Sequence, residues 1–207
     1  MVALQDRRLM TVEEYFEWEE IQEERHEYWD GEVVAMAGAT RNHHRVVRNF
    51  SIRLNTAFGD GPCEVFTADI RVRVEPRRKY FYPDMVVSCD DREDEDLYLN
   101  YPCLIIEVLS PSTEAIDRGI KFAKYRAILS LKEYVLVQVS QPGVEVYQRS
   151  DRGQWIYSAY GMDDRFLLDS VGVEVTVSDL YHQVKFELNE TEVTYSHSES
   201  KITEWAS

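Results

Sequence analysis

The sequence predicts an α/β protein with a mixed central β-sheet flanked by helices. Three observations carry this. Hydrophobic periods run helix, strand, helix, and then a series of strands around one further helix. The segment 103–109 is apolar on both faces, as a strand covered on both sides is. The 207 residues include 13 Tyr, 8 Phe and 4 Trp, enough to bury a sizeable core, which excludes global disorder.

Each element has its own signal. Thr11 and Glu14 form a capping box, so a helix is expected from there to about Glu24, its stripe marked by Val12, Tyr15, Phe16 and Glu19. Residues 28–32 read as a turn into a short strand, 33–37. Val46, Val47, Phe50, Leu54, Ala57 and Phe58 recur at helical spacing and predict a helix over 42–58. Residues 69–74 alternate strictly, predicting a half-exposed strand with Arg71 and Arg73 facing outward. A basic turn at 76–79 follows. Strands are expected at 80–88 and 103–109, separated by an acidic loop at 90–100. A helix over 114–129 is expected from Ile116, Ile120, Phe122, Ala123 and Ile128. Then come a strand at 134–139, three or four short strands to Val175, and a short helix to about Val184. One domain is expected over 1–186, with 187–207 as an acidic, flexible tail.

Two carboxylates sit where carboxylates are costly. Glu107 lies inside the doubly apolar strand, and burying an unpaired charge costs several kcal/mol or forces the group neutral. Asp84, after Pro83, interrupts another apolar strand, where Asp is disfavoured. On the following helix Asp117, Lys121 and Tyr125 share one face. Two buried acids and a lysine suit Mg²⁺, which takes one or two carboxylates plus waters and a substrate phosphate, and a lysine beside them can stabilise developing negative charge. Ordinary readings stand beside this one: a surface i,i+4 pair for Asp117 and Lys121, a carboxylate satisfied by a cation for Glu107, and a turn cap for Asp84.

The segments His26-Glu27-Tyr28-Trp29-Asp30-Gly31-Glu32-Val33-Val34, Ala37-Gly38-Ala39-Thr40-Arg41-Asn42-His43, Tyr82-Pro83-Asp84, Glu107-Val108-Leu109-Ser110-Pro111-Ser112-Thr113, Asp117-Arg118-Gly119-Ile120-Lys121 and Lys132-Glu133-Tyr134 together resemble the PD-(D/E)XK nuclease superfamily. The resemblance is closest to its Uma-type endonuclease branch, a bacterial family. It covers about residues 10–186, and its most specific part is Glu107 to Thr113 with Asp117 and Lys121 beyond. It implies a restriction-endonuclease-like fold. It also implies Asp84 and Glu107 as metal-binding acids, Lys121 as the family lysine displaced onto the helix, and Glu27 as a supporting acid. His43 matches a family histidine without an assigned role. Leu109 occupies the position of the motif lysine, so catalysis depends on Lys121, or on Lys124 one turn away.

Charge limits the partners. The formal net charge is −15, but residues 13–32, 90–96 and 187–207 hold all of the excess acid, and the remainder is net +3. A globally basic nucleic-acid or membrane binder is excluded. A face carrying Arg45, Arg48, Arg53, Arg71, Arg73, Arg77, Arg78 and Lys79 is the expected contact for DNA. With no separate DNA-reading module, a homodimeric cleft is the expected arrangement. Cys63, Cys89 and Cys103 are odd in number and far apart, so a disulfide framework is not expected, and Cys63 and Cys103 read as buried packing. No apolar run spans a bilayer and no signal peptide is seen, so a cytoplasmic location is expected. The leading expectation is a Mg²⁺- or Mn²⁺-dependent endonuclease acting on DNA. The alternative is a non-catalytic interaction or regulatory protein on a degenerate nuclease fold. A glycosidase with paired carboxylates is weaker, because it leaves Lys121 unexplained.

Overall fold

The structure, a computed structural model, describes residues 9–75 and 79–186. The expected tail, and with it Arg77 and Arg78, lies outside the described residues.

Helix α1 (Val12–Glu19) begins at the anticipated capping box: the Glu14 amide donates to Thr11 Oγ1 and the Thr11 amide to Glu14 Oε2. It ends a turn earlier than expected. Strands β1 (His26–Trp29) and β2 (Glu32–Ala35) form a hairpin. Its turn is Asp30-Gly31, both with positive φ, the backbone a two-residue hairpin turn requires. The sequence reading missed β1, whose residues mix charge and rings without alternation. Helix α2 (Arg41–Phe58) follows and buries Val46, Phe50 and Leu54.

Next come β3 (Glu64–Thr67), β4 (Arg71–Val74), β5 (Lys79–Phe81), β6 (Met85–Ser88), β7 (Tyr98–Leu99) and β8 (Pro102–Leu109). The expected single strand over 80–88 is two strands in two different sheets. Pro83 cannot donate to a ladder, and the chain changes sheet across Tyr82-Pro83-Asp84. Helix α3 (Glu114–Ile116), a π-helical turn (Asp117–Lys121) and α4 (Phe122–Tyr125) then run on as one segment. The expected regular helix to residue 129 is therefore shorter and contains a π-turn. Its apolar residues Ile116 and Ile120 face solvent, while Asp117, Lys121 and Tyr125 are buried on one face. Strands β9 (Glu133–Gln138), β10 (Val144–Arg149), β11 (Trp155–Tyr160), β12 (Arg165–Leu168) and β13 (Val173–Thr176), and helix α5 (Val177–Leu180), complete the chain.

The central sheet has the order β11-β10-β9-β8-β6-β3. It is mixed: β8 and β9 are parallel, and its other pairs are antiparallel. A second sheet runs β2-β1-β5-β4-β7, and β12 pairs with β13. One face of the central sheet packs Met85, Val87, Leu104, Ile106 and Val135 against α2, α5 and the β12–β13 pair. The other packs Val86, Ile105, Leu109 and Leu136 against the second sheet and against Tyr125 and Ile128. Alternation along β8 and β6 puts Glu107 and Asp84 on this second face.

Two expectations about side chains are overturned. Arg71 is buried, not outward: its guanidinium lies over the rings of Tyr15, Phe16 and Tyr82 and donates to the Tyr15 hydroxyl. Strict alternation cannot distinguish a solvated cation from one stacked on rings. Lys79 is likewise buried, its ammonium 2.5 Å from Asp30 Oδ1. Cys63 and Cys89 form a disulfide, with Cys103 Sγ 3.6 Å from Cys89 Sγ. The antiparallel register pairs Glu64 with Ser88, which brings the flanking Cys63 and Cys89 opposite each other. No helix among the described residues is long and apolar enough to cross a membrane.

Candidate functional site

Strand register brings the two anomalous acids together. β6 pairs antiparallel with β8 with Met85 opposite Ile106, so the next position sets Asp84 opposite Glu107. The Asp84 amide donates to Glu107 Oε2 at 3.3 Å, and Asp84 Oδ2 accepts from the Val108 amide at 2.7 Å. Each acid is thus oriented by the other's strand.

The π-turn delivers the lysine. Lys121 Nζ lies 2.9 Å from Glu27 Oε1, 3.2 Å from Glu107 Oε1 and 3.4 Å from Asp117 Oδ1. Glu27 arrives from β1 and is fixed by the Trp29 indole N–H and the Tyr82 amide. The Tyr125 hydroxyl donates to Glu107 Oε1 at 3.1 Å. His43, in the first turn of α2, places Nε2 3.1 Å from Asp84 Oδ2. Glu27, His43, Asp84, Glu107, Asp117 and Lys121 thus meet at one cavity of about 340 Å³. Lys124 does not line it. Arg45 bonds to Asn42, and Arg48 to Asn49 and Gln183. Arg73 pairs with Glu75.

Burial sets the electrostatics. Glu107 is 3% exposed, and burial raises its pKa well above the carboxylate range against the pull of Lys121. Asp117 is raised for the same first reason, burial. Burial alone would lower the Lys121 pKa, but Glu107, Glu27 and Asp117 outweigh it and raise it. Both shifts run upward: the Lys121 ammonium is held more firmly than that of a free lysine by its three carboxylates, and burial raises Glu107.

Within the site, His43 Nδ1 is buried without a hydrogen-bond partner among the described residues, while Asp117 Oδ1 has the Lys121 ammonium at 3.4 Å. No three His, Cys, Asp or Glu side chains among the described residues converge as a ready metal cage. A hard divalent ion needs less. Two opposed carboxylates open to a cavity fit Mg²⁺, which keeps several waters. By donor chemistry Asp84 and Glu107 are the pair that would hold such an ion, with the Lys121 ammonium 3.2 Å from Glu107 Oε1. Tyr125 was visible in the sequence as part of the helix face, but its hydroxyl on Glu107 was not. Nor was the His43–Asp84 contact, since β6 and α2 are brought together only by the packed core.

The family model for Uma2, described as "Putative restriction endonuclease", matches residues 12–178. The chain belongs to the Uma2 family. Uma2 relatives in Synechocystis sp. include the uncharacterized protein slr1290, 38% identical over 182 residues, 86% of this chain and 94% of that protein. A second, the uncharacterized protein sll1609, is 35% identical over 159 residues, 75% of this chain and 90% of that one. In the solved structures, this Uma2 chain is similar to a crystal structure from Anabaena variabilis described as "a putative nuclease belonging to DUF820". That match has a TM-score of 0.71 at 16% identity and covers 85% of this chain and 99% of the other. The fold is therefore nuclease-like, as the sequence resemblance implied.

Proposed function

We propose that this Uma2 protein hydrolyses phosphodiester bonds of nucleic acid with the help of Mg²⁺ or Mn²⁺. The observation that supports the reading best is the β6–β8 register. It sets Asp84 opposite Glu107 at a cavity where Lys121 and Glu27 also arrive. In this reading Asp84 and Glu107 hold the ion, which supplies Lewis acidity toward a phosphoryl oxygen. Lys121 positions the attacking water and stabilises charge that develops on the phosphoryl group. Glu27 holds the Lys121 ammonium in place, and Tyr125 fixes the orientation of the Glu107 carboxyl. His43 orients Asp84 from the other side.

The full chain, incubated with DNA or RNA and either ion, is expected to cut, and Glu107→Ala to reduce cutting to background. No cutting of any nucleic acid, or equal cutting by Glu107→Ala, removes the proposal. The ion alone should also raise the thermal midpoint, because a ligand of the native state stabilises it by mass action.

One observation favours a non-catalytic reading. Lys121 and Tyr125 already satisfy Glu107 Oε1, and Glu107 is almost wholly enclosed. On that reading the four carboxylates and one ammonium are a structural network. A thermal midpoint indifferent to both ions, together with absent cleavage, is its signature.

A further inference from the structure

The walls of the cavity, as distinct from its floor, bear on what enters it. The floor is the carboxylate cluster. The walls come from Trp29 in β1, Met36 just beyond β2, His44 and Val47 in α2, and Ile116 in α3. Met36, His44 and Ile116 are exposed. Among the described residues, Lys121 is the sole Lys or Arg lining the cavity, and its ammonium is already shared by three carboxylates.

Several cations expected to meet a duplex are already engaged by the protein. Arg71 and Lys79 are buried, the first stacked on Tyr15, Phe16 and Tyr82 and the second bound to Asp30, while Arg53 donates twice to the Glu174 carbonyl at the surface. A duplex backbone is held by many Lys and Arg contacts. Rings and apolar side chains around a small cavity suit a base taken out of its stack, since every base has a π-face to lay against them. A volume of about 340 Å³ lies at the lower end of the range for cavities that enclose a small organic ligand.

We propose that the cavity receives one unstacked nucleotide of a single-stranded nucleic acid, its base against Trp29, Met36 and His44 and its phosphate toward Asp84 and Glu107. This rests on the phosphodiesterase reading for the floor and adds the substrate class for the walls. A paired duplex does not present a base to such a cavity without first opening.

The test is equilibrium binding by the full chain in Mg²⁺, read by fluorescence anisotropy. The probes are cleavage-resistant phosphorothioate oligonucleotides: a single-stranded DNA, a single-stranded RNA of the same sequence and a hairpin duplex. At least one single strand is expected to bind tenfold or more tightly than the duplex. The slope of log affinity against log salt should be no steeper than about two, against the much steeper slopes of proteins contacting many phosphates. His44→Ala, with Met36→Ala as a second variant, should weaken the single strand about tenfold by removing stacking surface. Both positions are exposed, and an unchanged thermal midpoint shows that the variants fold. Equal or tighter duplex binding overturns the inference, as does single-strand binding unaffected by both variants, or no binding at all. Expected binding with no cleavage of natural strands in either ion removes the hydrolytic reading and leaves the binding specificity intact.

Discussion

Lys121 is the side chain on which the cluster depends. It is the cation for Glu27, Glu107 and Asp117, and removing one partner of a buried ionic network leaves uncompensated charge. Lys121→Met should lower unfolding stability by about 3–5 kcal/mol in urea denaturation with chelator present. A loss below about 1 kcal/mol would mean that the carboxylates are independently solvated. The two strand acids were legible because apolar strands rarely tolerate a carboxylate. The lysine was legible as a candidate partner from the helix face it shares with Asp117 and Tyr125, and the family resemblance strengthened that over the surface i,i+4 pair the spacing also fits. Arg71 was misread because a two-residue period reports which face a residue takes, not what covers that face. Cys103 offers a second check at this scale. Burial pushes its thiol up to about 11. The thiolate is the reacting form, so alkylation at pH 8 should run roughly a hundredfold slower than for an unperturbed cysteine. A rate equal to that of free cysteine, measured by mass spectrometry on intact protein, would contradict the burial.

Among the elements, β3 is the edge strand of the central sheet, held to β6 by its ladder and by the Cys63–Cys89 bond. The cross-link spans a sequence separation of 26 residues. On the chain-entropy account a loop of that size contributes about 3.5 kcal/mol. Reduction, or the double change Cys63→Ser and Cys89→Ser, should lower stability by about that amount, read as a shift in the urea midpoint. An unmoved midpoint would show that the ladder alone holds the strand. The bond was invisible in a count of three scattered cysteines. Only the β3–β6 register makes residues 63 and 89 neighbours. The same limit applies to the sheet switch at Tyr82-Pro83-Asp84: the apolar run continues through it, and Pro83 marked an interruption without saying that the two halves belong to different sheets. Helix α2, by contrast, was legible nearly to its ends because its buried positions keep one period throughout.

Over the whole molecule, the layered arrangement buries an unusual set of phenols. Tyr15, Tyr82, Tyr125, Tyr134 and Tyr181 are all enclosed, and burial raises the pKa of each. For Tyr181 the value is about 12. A raised folded-state pKa means that the unfolded chain ionises first. The stabilisation is complete below about pH 10 and is lost as pH rises through the folded-state value. Tyr181 alone should cost about 2 kcal/mol by pH 12. The thermal midpoint should therefore fall steeply between pH 10 and 12, in step with the ultraviolet signal of tyrosinate. Ionisation without loss of structure would show that these hydroxyls reach water. The fold class followed from element order, because helices alternating with strands and a doubly apolar strand leave few layer arrangements. The second sheet did not, because its strands are short and interleaved in sequence with those of the first.

The π-turn at Asp117–Lys121 carries a consequence for how such a site is lost. A turn closed by i→i+5 bonds holds one residue more than an α-turn, and here both of its ends, Asp117 and Lys121, are buried. Gly119, within it, is exposed, and a Cβ there would meet nothing. Deleting this one residue would let the segment close as ordinary α-helix and rotate Lys121 out of register with Glu27 and Glu107. Every acid would remain, yet the cluster would have no cation. A descendant could fall silent through chain length alone, with its recognisable acidic signature untouched.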